Sequence, residues 1–320
     1  MCLADILPER EALSRAVELL RAGEAIAIPT ETVYGLAADA TNGEAVARIY
    51  ETKGRPQFNP LIAHVADRAM AERIAVFSPL ARLLADAFWP GPLTLVLPHR
   101  AGSGVHPLVT AGLDTIALRC PKGFGARVIE ALGRPVAAPS ANSSGRISGT
   151  TAEAVEADLG PRIRLIVDGG PTPVGLESTI VKVGEDSITL LRPGGVAADE
   201  LERVTGMSLM RGAKGVQAPG MLASHYAPNA HMRLGVAEVK PGEALLAFGP
   251  QRAAGAERAV AMRNLSESGE MREAAANLFS HLLALDRSGA ATIAVEPVPL
   301  EGLGEAINDR LARAAAPRDR

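Results

Sequence analysis

Cysteine is nearly missing from this 320-residue chain: Cys2 and Cys120 are the only two. Two thiols make no disulfide framework, and the sequence offers no partners that would turn them into a metal cluster. Such sparse use fits a reducing compartment. Aromatic residues make up only 3% of the chain against 47% hydrophobic, so the core has to be aliphatic, built from Leu, Val, Ile and Ala. Neither sign of charge dominates. The formal net charge of −3 gives no overall attraction to nucleic acid, although it leaves room for a local basic groove. No apolar run is long enough to span a bilayer. The start, "MCLADILPEREAL", lacks the basic residues and unbroken apolar stretch of a secretion signal. A soluble, cytoplasmic protein is expected, with a length comfortable for two domains.

Familiar catalytic signatures are missing as well. There is no GxxxxGK[ST], no HExxH, no paired CxxC and no nucleophile elbow, and "GFGARV" only grazes the dinucleotide fingerprint. P-loop hydrolysis, metal hydrolysis, acyl-serine chemistry and hydride transfer all lack support. Phosphate handling without a P-loop remains.

The hydrophobic pattern alternates strands with helices. "EALSRAVELLRAG" places Leu13, Ala16, Val17 and Leu20 on one helical face, with Gly23 beyond its end. "SPLARLLADAFWP" has Ser78 as N-cap and Pro79 at the first helical position, with Leu80, Leu83, Leu84 and Ala87 predicted on the buried side. Further helices are predicted at about 124–132 and 151–159. Strands are read at "AIAIPT", "LIAHV", "LTLVLP", "TIALRCP", "PVAAPS", "RLIVDGG", "STIVKV" and "ITLLRPG". The last three have no helix between them, which predicts an antiparallel run in a mixed α/β sheet. "TETVYGLAADA" reads as a helix start with Tyr34 packed, and Asp168-Gly169-Gly170 as a turn. After "LLRPGGV" a Gly- and Pro-rich connector follows, then a small β/α unit with helices at about 271–286 and 303–314. The expected division is 1–200, 201–236 and 237–320. A connector of that length is unusual unless it functions or is disordered.

Polar side chains gather just past the strand ends: Thr30 and Thr32, Arg119, Ser140 and Asn142, Asp168 and Arg192. Ligands of open α/β sheets sit in the crevice there. In "KGRPQFNPL", Lys53 and Arg55 can be two surface cations at a helix C-terminus, or a fork and a point charge for a polyphosphate. His64, flanked by apolar residues, reads first as a satisfied core histidine. "AAPSANSSGRISG" can be a flexible linker or a loop that cradles phosphate. Its position after an apolar strand, well before the connector, favours the loop.

Taken in order, "PTETVYGLAADA", "KGRPQFNPLIAHV", "WPGPLTLVL", "TAGLDTIALRCP", "PVAAPSANSSGRISGT", "DGGPTPVGLESTIVKV", "LLRPGGV" and "APGMLASHYAPN" resemble the blocks of the threonylcarbamoyl-AMP synthase family over about 10–230. The C-terminal part resembles, with less specific motifs, the Rossmann-like domain of that family's long form. The resemblance implies a YrdC-like twisted mixed sheet flanked by helices, followed by a small Rossmann-like domain. It also implies a reaction in which L-threonine, bicarbonate or CO2, and ATP give threonylcarbamoyl-adenylate and pyrophosphate, for threonylcarbamoyladenosine beside the tRNA anticodon.

By the same resemblance, Lys53, Arg55, Ser140 and Asn142 form the K-x-R…S-x-N signature. Asn59, Thr115, Ser148 and Arg192 complete an ATP site with Arg55 and Ser140. Thr32, His64, Arg119, Ser178 and the backbone of Ala138 hold threonine. His225 and Tyr226 belong to a cover that closes over the nucleotide. Mg2+ is implied with ATP, held mainly by phosphate oxygens and water. The downstream tRNA threonylcarbamoyl-transferase machinery is the implied partner, and a weak tRNA contact stays open. Two rival readings are an RNA-binding module without adenylate synthesis and a protein carbamoyltransferase. The first has thin support from an acidic, aromatic-poor chain, and the second lacks the required cysteines.

Overall fold

The computed structural model describes residues 4–212, 215, 217–221 and 224–317. Cys2 and five positions of the connector (213, 214, 216, 222 and 223) lie outside the described residues. Among the described residues the first sheet contains β1 (Asp5–Pro8), β2 (Ile26–Ile28), β3 (Gly35–Asp39), β4 (Ile62–His64), β5 (Leu93–Pro98), β6 (Thr115–Arg119), β7 (Val136–Ala137), β8 (Leu165–Asp168), β9 (Thr179–Val183), β10 (Ile188–Arg192) and β11 (Met210–Arg211). They run in the order β1-β8-β2-β3-β7-β4-β6-β5-β9-β10-β11. Pairing is mixed: β4 lies parallel to β6 and β5 to β9, whereas β9 and β10 are antiparallel.

Helices α1 (Glu9–Arg21), α2 (Gly43–Lys53), α3 (Arg68–Ile74), α4 (Pro79–Phe88), α5 (Pro107–Thr110), α6 (Phe124–Leu132), α7 (Ala152–Leu159) and α8 (Ala198–Thr205) accompany this sheet. Its core is aliphatic, with Leu20, Ile26, Leu36, Ile49, Leu84 and Leu118 fully buried. Capping explains several boundaries. Asn42 accepts hydrogen bonds from the Glu44 and Ala45 amides at the start of α2, and Gly54 closes the helix in the left-handed region. Ser78 caps α4 on the Ala81 amide, with Pro79 first in the helix.

Three sequence expectations need correction. Residues 35–39 form strand β3 and not a helix, because Gly35, Leu36 and Ala37 pair with β2 and are buried on both faces. β8 stands between β1 and β2 near the far edge, so only β9 and β10 of the supposed antiparallel run are neighbours. The buried side of α4 is Ala81, Leu84 and Ala85, while Leu83 is 45% exposed and Ala87 also faces out. In α4 the period is right and the phase is off, since a small Ala buries as readily as Leu. On α1 the expected face holds: Ala16, Val17 and Leu20 are buried and Leu13 packs against the core, with Ala12 and Leu19 buried beside them.

The second sheet holds β12 (His231–Leu234), β13 (Ala244–Ala247), β14 (Met262–Asn264) and β15 (Thr292–Val295) in the parallel order β12-β15-β13-β14. Helices α9 (Met271–Asp286) and α10 (Gly304–Ala315) accompany it, as the Rossmann-like reading predicts. The strands leave residues 198–211 with the first sheet and 231–234 with the second. Between them the described residues form no helix or strand. Val33, Ile147, Leu176 and Tyr226 join the second core beside Phe279 and Leu282. The two units therefore share packed apolar surface.

Gly175 shows how close that packing is. Its φ is +71°, and an added Cβ would stand 2.4 Å from the Ala276 Cα of α9. Gly175→Ala combines backbone strain with an overlap of main chains, at a cost on the order of 3 kcal/mol. We expect a clear drop in unfolding temperature and earlier proteolytic separation of the two units. Stability equal to the wild type would show that the seam yields without cost.

Candidate active site

One small enclosed space collects most of the expected residues. Thr32, Arg55, His64, Arg119, Ala138, Ser140, Ser178, Arg192, His225 and Tyr226 all line it, together with Glu177, Pro219 and Gly220. Its free volume is about 40 Å3, little more than the roughly 30 Å3 share of one water. Lys53, Asn59, Thr115, Asn142 and Ser148 are not on its wall. Asp168 is not there either. Its carboxylate accepts the Gly170 amide at 2.9 Å and makes the turn that its sequence suggests.

Lys53 and Arg55 are not surface cations: they are only 3% and 7% exposed. Lys53 ends α2 and donates to the Ser140 carbonyl at 2.6 Å and to the Asn142 carbonyl. Its ammonium thus braces the serine-rich loop from behind. Burial, followed by the nearby Arg55 charge, pushes its pKa well below the ordinary lysine value. Arg55, one residue past Gly54, donates to the Asn59 and Pro60 carbonyls at 3.2 and 2.8 Å. Burial pulls its pKa down to about 10. Arg192, at the end of β10, donates to the Ser178 carbonyl at 2.8 Å and to the Pro219 carbonyl at 3.3 Å, and burial lowers its pKa too. Thr115 begins β6. The parallel register Ile62↔Ala117 carries it to the level of Pro60, beside Asn59.

The serine-rich loop is built in and does not link domains. Gly35 bridges to Ser140, the Ser144 amide donates to the Lys53 carbonyl at 2.8 Å, and Asn142 donates to the Ser143 and Arg146 carbonyls. The Asn142 Oδ1 is buried without a partner among the described residues.

On the opposite wall, Arg119 donates to the Thr32 hydroxyl at 2.9 Å and to the Gly91 carbonyl at 3.2 Å, and it pairs with Glu31 at 2.8 Å. Thr30 turns its hydroxyl to the Val33 carbonyl, so Thr32 is the threonine that faces the space. His64 is both buried and on the wall. Burial, then the Arg119 charge, lowers its pKa to about 3, and burial does the same for His225. Both rings are uncharged at neutral pH.

Sequence reasoning missed three charged residues: Glu31, Glu177 and Arg310. Glu177 accepts from the Ser148 hydroxyl at 2.6 Å and from Arg310 Nε at 2.9 Å. Burial opposes its ionisation, yet the Arg310 and Arg192 guanidiniums and the Ser148 hydroxyl outweigh that and hold its pKa at about 2. Glu177 stood in a quoted block, next to Ser178. Arg310 left a subtler trace, a cation in the apolar stripe Ile307, Leu311, Ala314 of α10. Among the described residues no group of three or more His, Cys, Asp or Glu could hold a metal ion. No helix there is long and apolar enough to cross a membrane.

A mixed α/β sheet that brings buried cations and a serine-rich loop to one small pocket defines an α/β protein of the YrdC-like class. Residues 18–194 match the family model described as "Telomere recombination", and residues 196–316 match that described as "Threonylcarbamoyl-AMP synthase, C-terminal domain". The threonylcarbamoyl-AMP synthase of Bacillus subtilis is 40% identical over 326 residues, covering 96% of this chain and 93% of the relative. The crystal structure of Pyrococcus abyssi Sua5 complexed with L-threonine superposes with a TM-score of 0.88 at 36% identity, over 98% of both chains. The likeness to full-length HypF, at 18% identity and a TM-score of 0.52 over 58% of this chain, shows a shared fold alone. The chain belongs to the threonylcarbamoyl-AMP synthase family.

The depressed pKa of Glu177 has a consequence in acid. Its ionised form is favoured by folding, so its contribution is complete above about 4.5 and is lost as the pH falls toward about 2. Glu177→Gln should lower the unfolding temperature at neutral pH and flatten its decline between about pH 5 and about pH 3. Thermal unfolding across that range tests this; equal slopes in both proteins would remove Glu177 as the source.

Proposed function

We propose that this pocket is where the chain makes threonylcarbamoyl-adenylate and pyrophosphate from L-threonine, bicarbonate or CO2, and ATP. The observation that carries the reading is electrostatic. Lys53, Arg55 and Arg192 are buried with their pKa values pushed down. The donors of Lys53 and Arg55 end on backbone carbonyls that carry no neutralising charge, and Arg192 ends on carbonyls and the Ser178 hydroxyl with Glu177 as a nearby carboxylate. Buried uncompensated cations are costly, and an anionic ligand repays that cost. A triphosphate supplies the charge.

The chemistry joins three components without a protein nucleophile. The threonine amine adds to CO2 with release of a proton, or to bicarbonate with loss of water, giving a carbamate either way. A carbamate oxygen attacks the α-phosphorus, the bond to the β-phosphate oxygen breaks, and pyrophosphate leaves with that electron pair. Anionic groups must meet, so the residues chiefly position them and neutralise charge. Arg55 and Arg192 face the triphosphate, and Lys53 fixes the loop carrying Ser140 and Asn142 and adds its field from behind. Asn59 and Thr115 lie off the wall, and they suit the nucleoside end of the ligand.

Arg119, Thr32, His64, Ser178 and the Ala138 backbone suit threonine, the guanidinium binding its carboxylate and neutral His64 offering a hydrogen bond. Glu31 sets the guanidinium's orientation. Mg2+ would enter with ATP through phosphate oxygens and water. Tyr226 and His225 close the pocket and exclude water from a hydrolysable adenylate. The product would pass to a tRNA-modifying transferase.

Incubation with ATP, L-threonine and bicarbonate should release pyrophosphate only when threonine is present. Arg119→Lys should raise the KM for threonine by roughly 10–100-fold, the worth of a charge-assisted hydrogen bond, with the KM for ATP nearly unchanged. Release without threonine would refute the reading, and tight RNA binding without turnover would favour a binding module instead.

A further inference from the structure

Two helices of the C-terminal domain reach the pocket lining: α9 through Phe279 against Tyr226, and α10 through Arg310. α10 buries Ala306, Ile307, Leu311 and Ala314, and Arg310 stands in the middle of that stripe with 0% exposure. Its guanidinium carbon lies 5.1 Å from the centroid of the Tyr226 ring, its Nε donates to Glu177, and its Nη1 pairs with the adjacent Asp309 at 2.6 Å. Three residues on, the Arg313 carbonyl accepts from the His225 amide at 3.2 Å. Through Glu177 the same guanidinium reaches the Ser148 hydroxyl, which belongs to the serine-rich loop. One helix face therefore meets the cover and the nucleotide loop together.

The domain's own ligand crevice is already filled. In a parallel sheet of this kind a ligand would sit beyond the ends of the central strands, here β13 and β15. The Glu296 carboxylate occupies that place, accepting from the Phe248 and Ala253 amides at 2.9 and 2.6 Å and from Arg252 at 2.7 Å. Of the two helices, α10 is the one that brings a charge to the pocket wall.

We propose that Arg310 is a positioning residue for nucleotide binding: it holds the Tyr226 ring and the Glu177 carboxylate in register, so that the cover seats on the triphosphate only when the C-terminal domain is docked. Tyr226 has particular need of such support. Its φ of 63° is in the left-handed region, which a bulky residue occupies only when its surroundings impose it. Cation–π contact with Arg310 and ring contacts with Phe279 and His225 provide that surrounding. The inference rests on the adenylate-forming reading above.

The test compares Arg310→Met, Arg310→Lys and the double variant Glu177→Gln/Arg310→Met in the full chain. The double variant removes both members of the Glu177–Arg310 pair, so neither is left without the other, and it carries the measurement if Arg310→Met does not fold. Equilibrium binding of a non-hydrolysable ATP analogue and steady-state pyrophosphate release are both read. We expect the analogue Kd and the KM for ATP to rise about tenfold or more in Arg310→Met and in the double variant, with the KM for threonine within about twofold. Arg310→Lys restores the charge without the flat guanidinium and should recover part of the loss. A purely structural role would lower the unfolding temperature while leaving the Kd and both KM values of the folded protein unchanged, and that result would overturn the proposal. A wild type that releases no threonine-dependent pyrophosphate would count against the reaction, and the analogue Kd would still decide the role of Arg310.

Discussion

Backbone carbonyls hold the cations of this pocket, and the rest of the site follows from that choice. Lys53 ends on the Ser140 and Asn142 carbonyls, Arg55 on Asn59 and Pro60, Arg192 on Ser178 and Pro219, and Arg119 in part on Gly91. A carbonyl satisfies a donor and fixes its direction without cancelling its charge. A carboxylate in the same place would neutralise the cation and compete with an anionic ligand. The irregular segments around 55–60, 138–149 and 175–178 are therefore structural parts of the site, because only backbone free of helix and sheet ladders has carbonyls to lend.

Two carboxylates depart from this pattern, and each serves a different wall. Glu31 pairs with Arg119 on the wall that carries Thr32 and His64. Glu177 pairs with Arg310, a cation brought from the C-terminal domain. Removing one partner from a buried pair costs about 3–5 kcal/mol, whereas replacing both by neutral groups can be nearly neutral. The Glu177–Arg310 contact thus ties domain docking to the local state of the pocket. Its worth lies in that coupling more than in net stability.

Much of this arrangement was legible in the sequence, for reasons that vary by residue. Asn42 and Gly54 mark the ends of α2, so Lys53 and Arg55 could be placed at a helix terminus. Their burial could not, because it depends on the loop from 138 to 149 folding over them. The turn at Asp168 was readable from its own residues. The placement of β8 at the far side of β2 was not, since strand order is decided by long-range pairing that leaves no local trace. Tyr34 was expected to pack and does, but its neighbours form a strand that is buried on both faces, so the alternation that announces a strand is missing. Arg310 meets Glu177 across 133 residues of sequence, and only an interrupted apolar stripe hints at it.

The pocket is small, and the connector supplies part of its wall. A space of about 40 Å3 is far below the roughly 300–1,000 Å3 of ordinary ligand sites, and Pro219, Gly220, His225 and Tyr226 take up part of its lining. Gly220 is pressed against Arg192, where an added Cβ would stand 2.8 Å from Cδ, and the neighbouring Pro219 carbonyl caps one of that guanidinium's nitrogens. Pro219 and Gly220 thus fix the Arg192 side chain by a hydrogen bond and by direct contact. Any ligand that takes that donor has to displace the protein's own carbonyl.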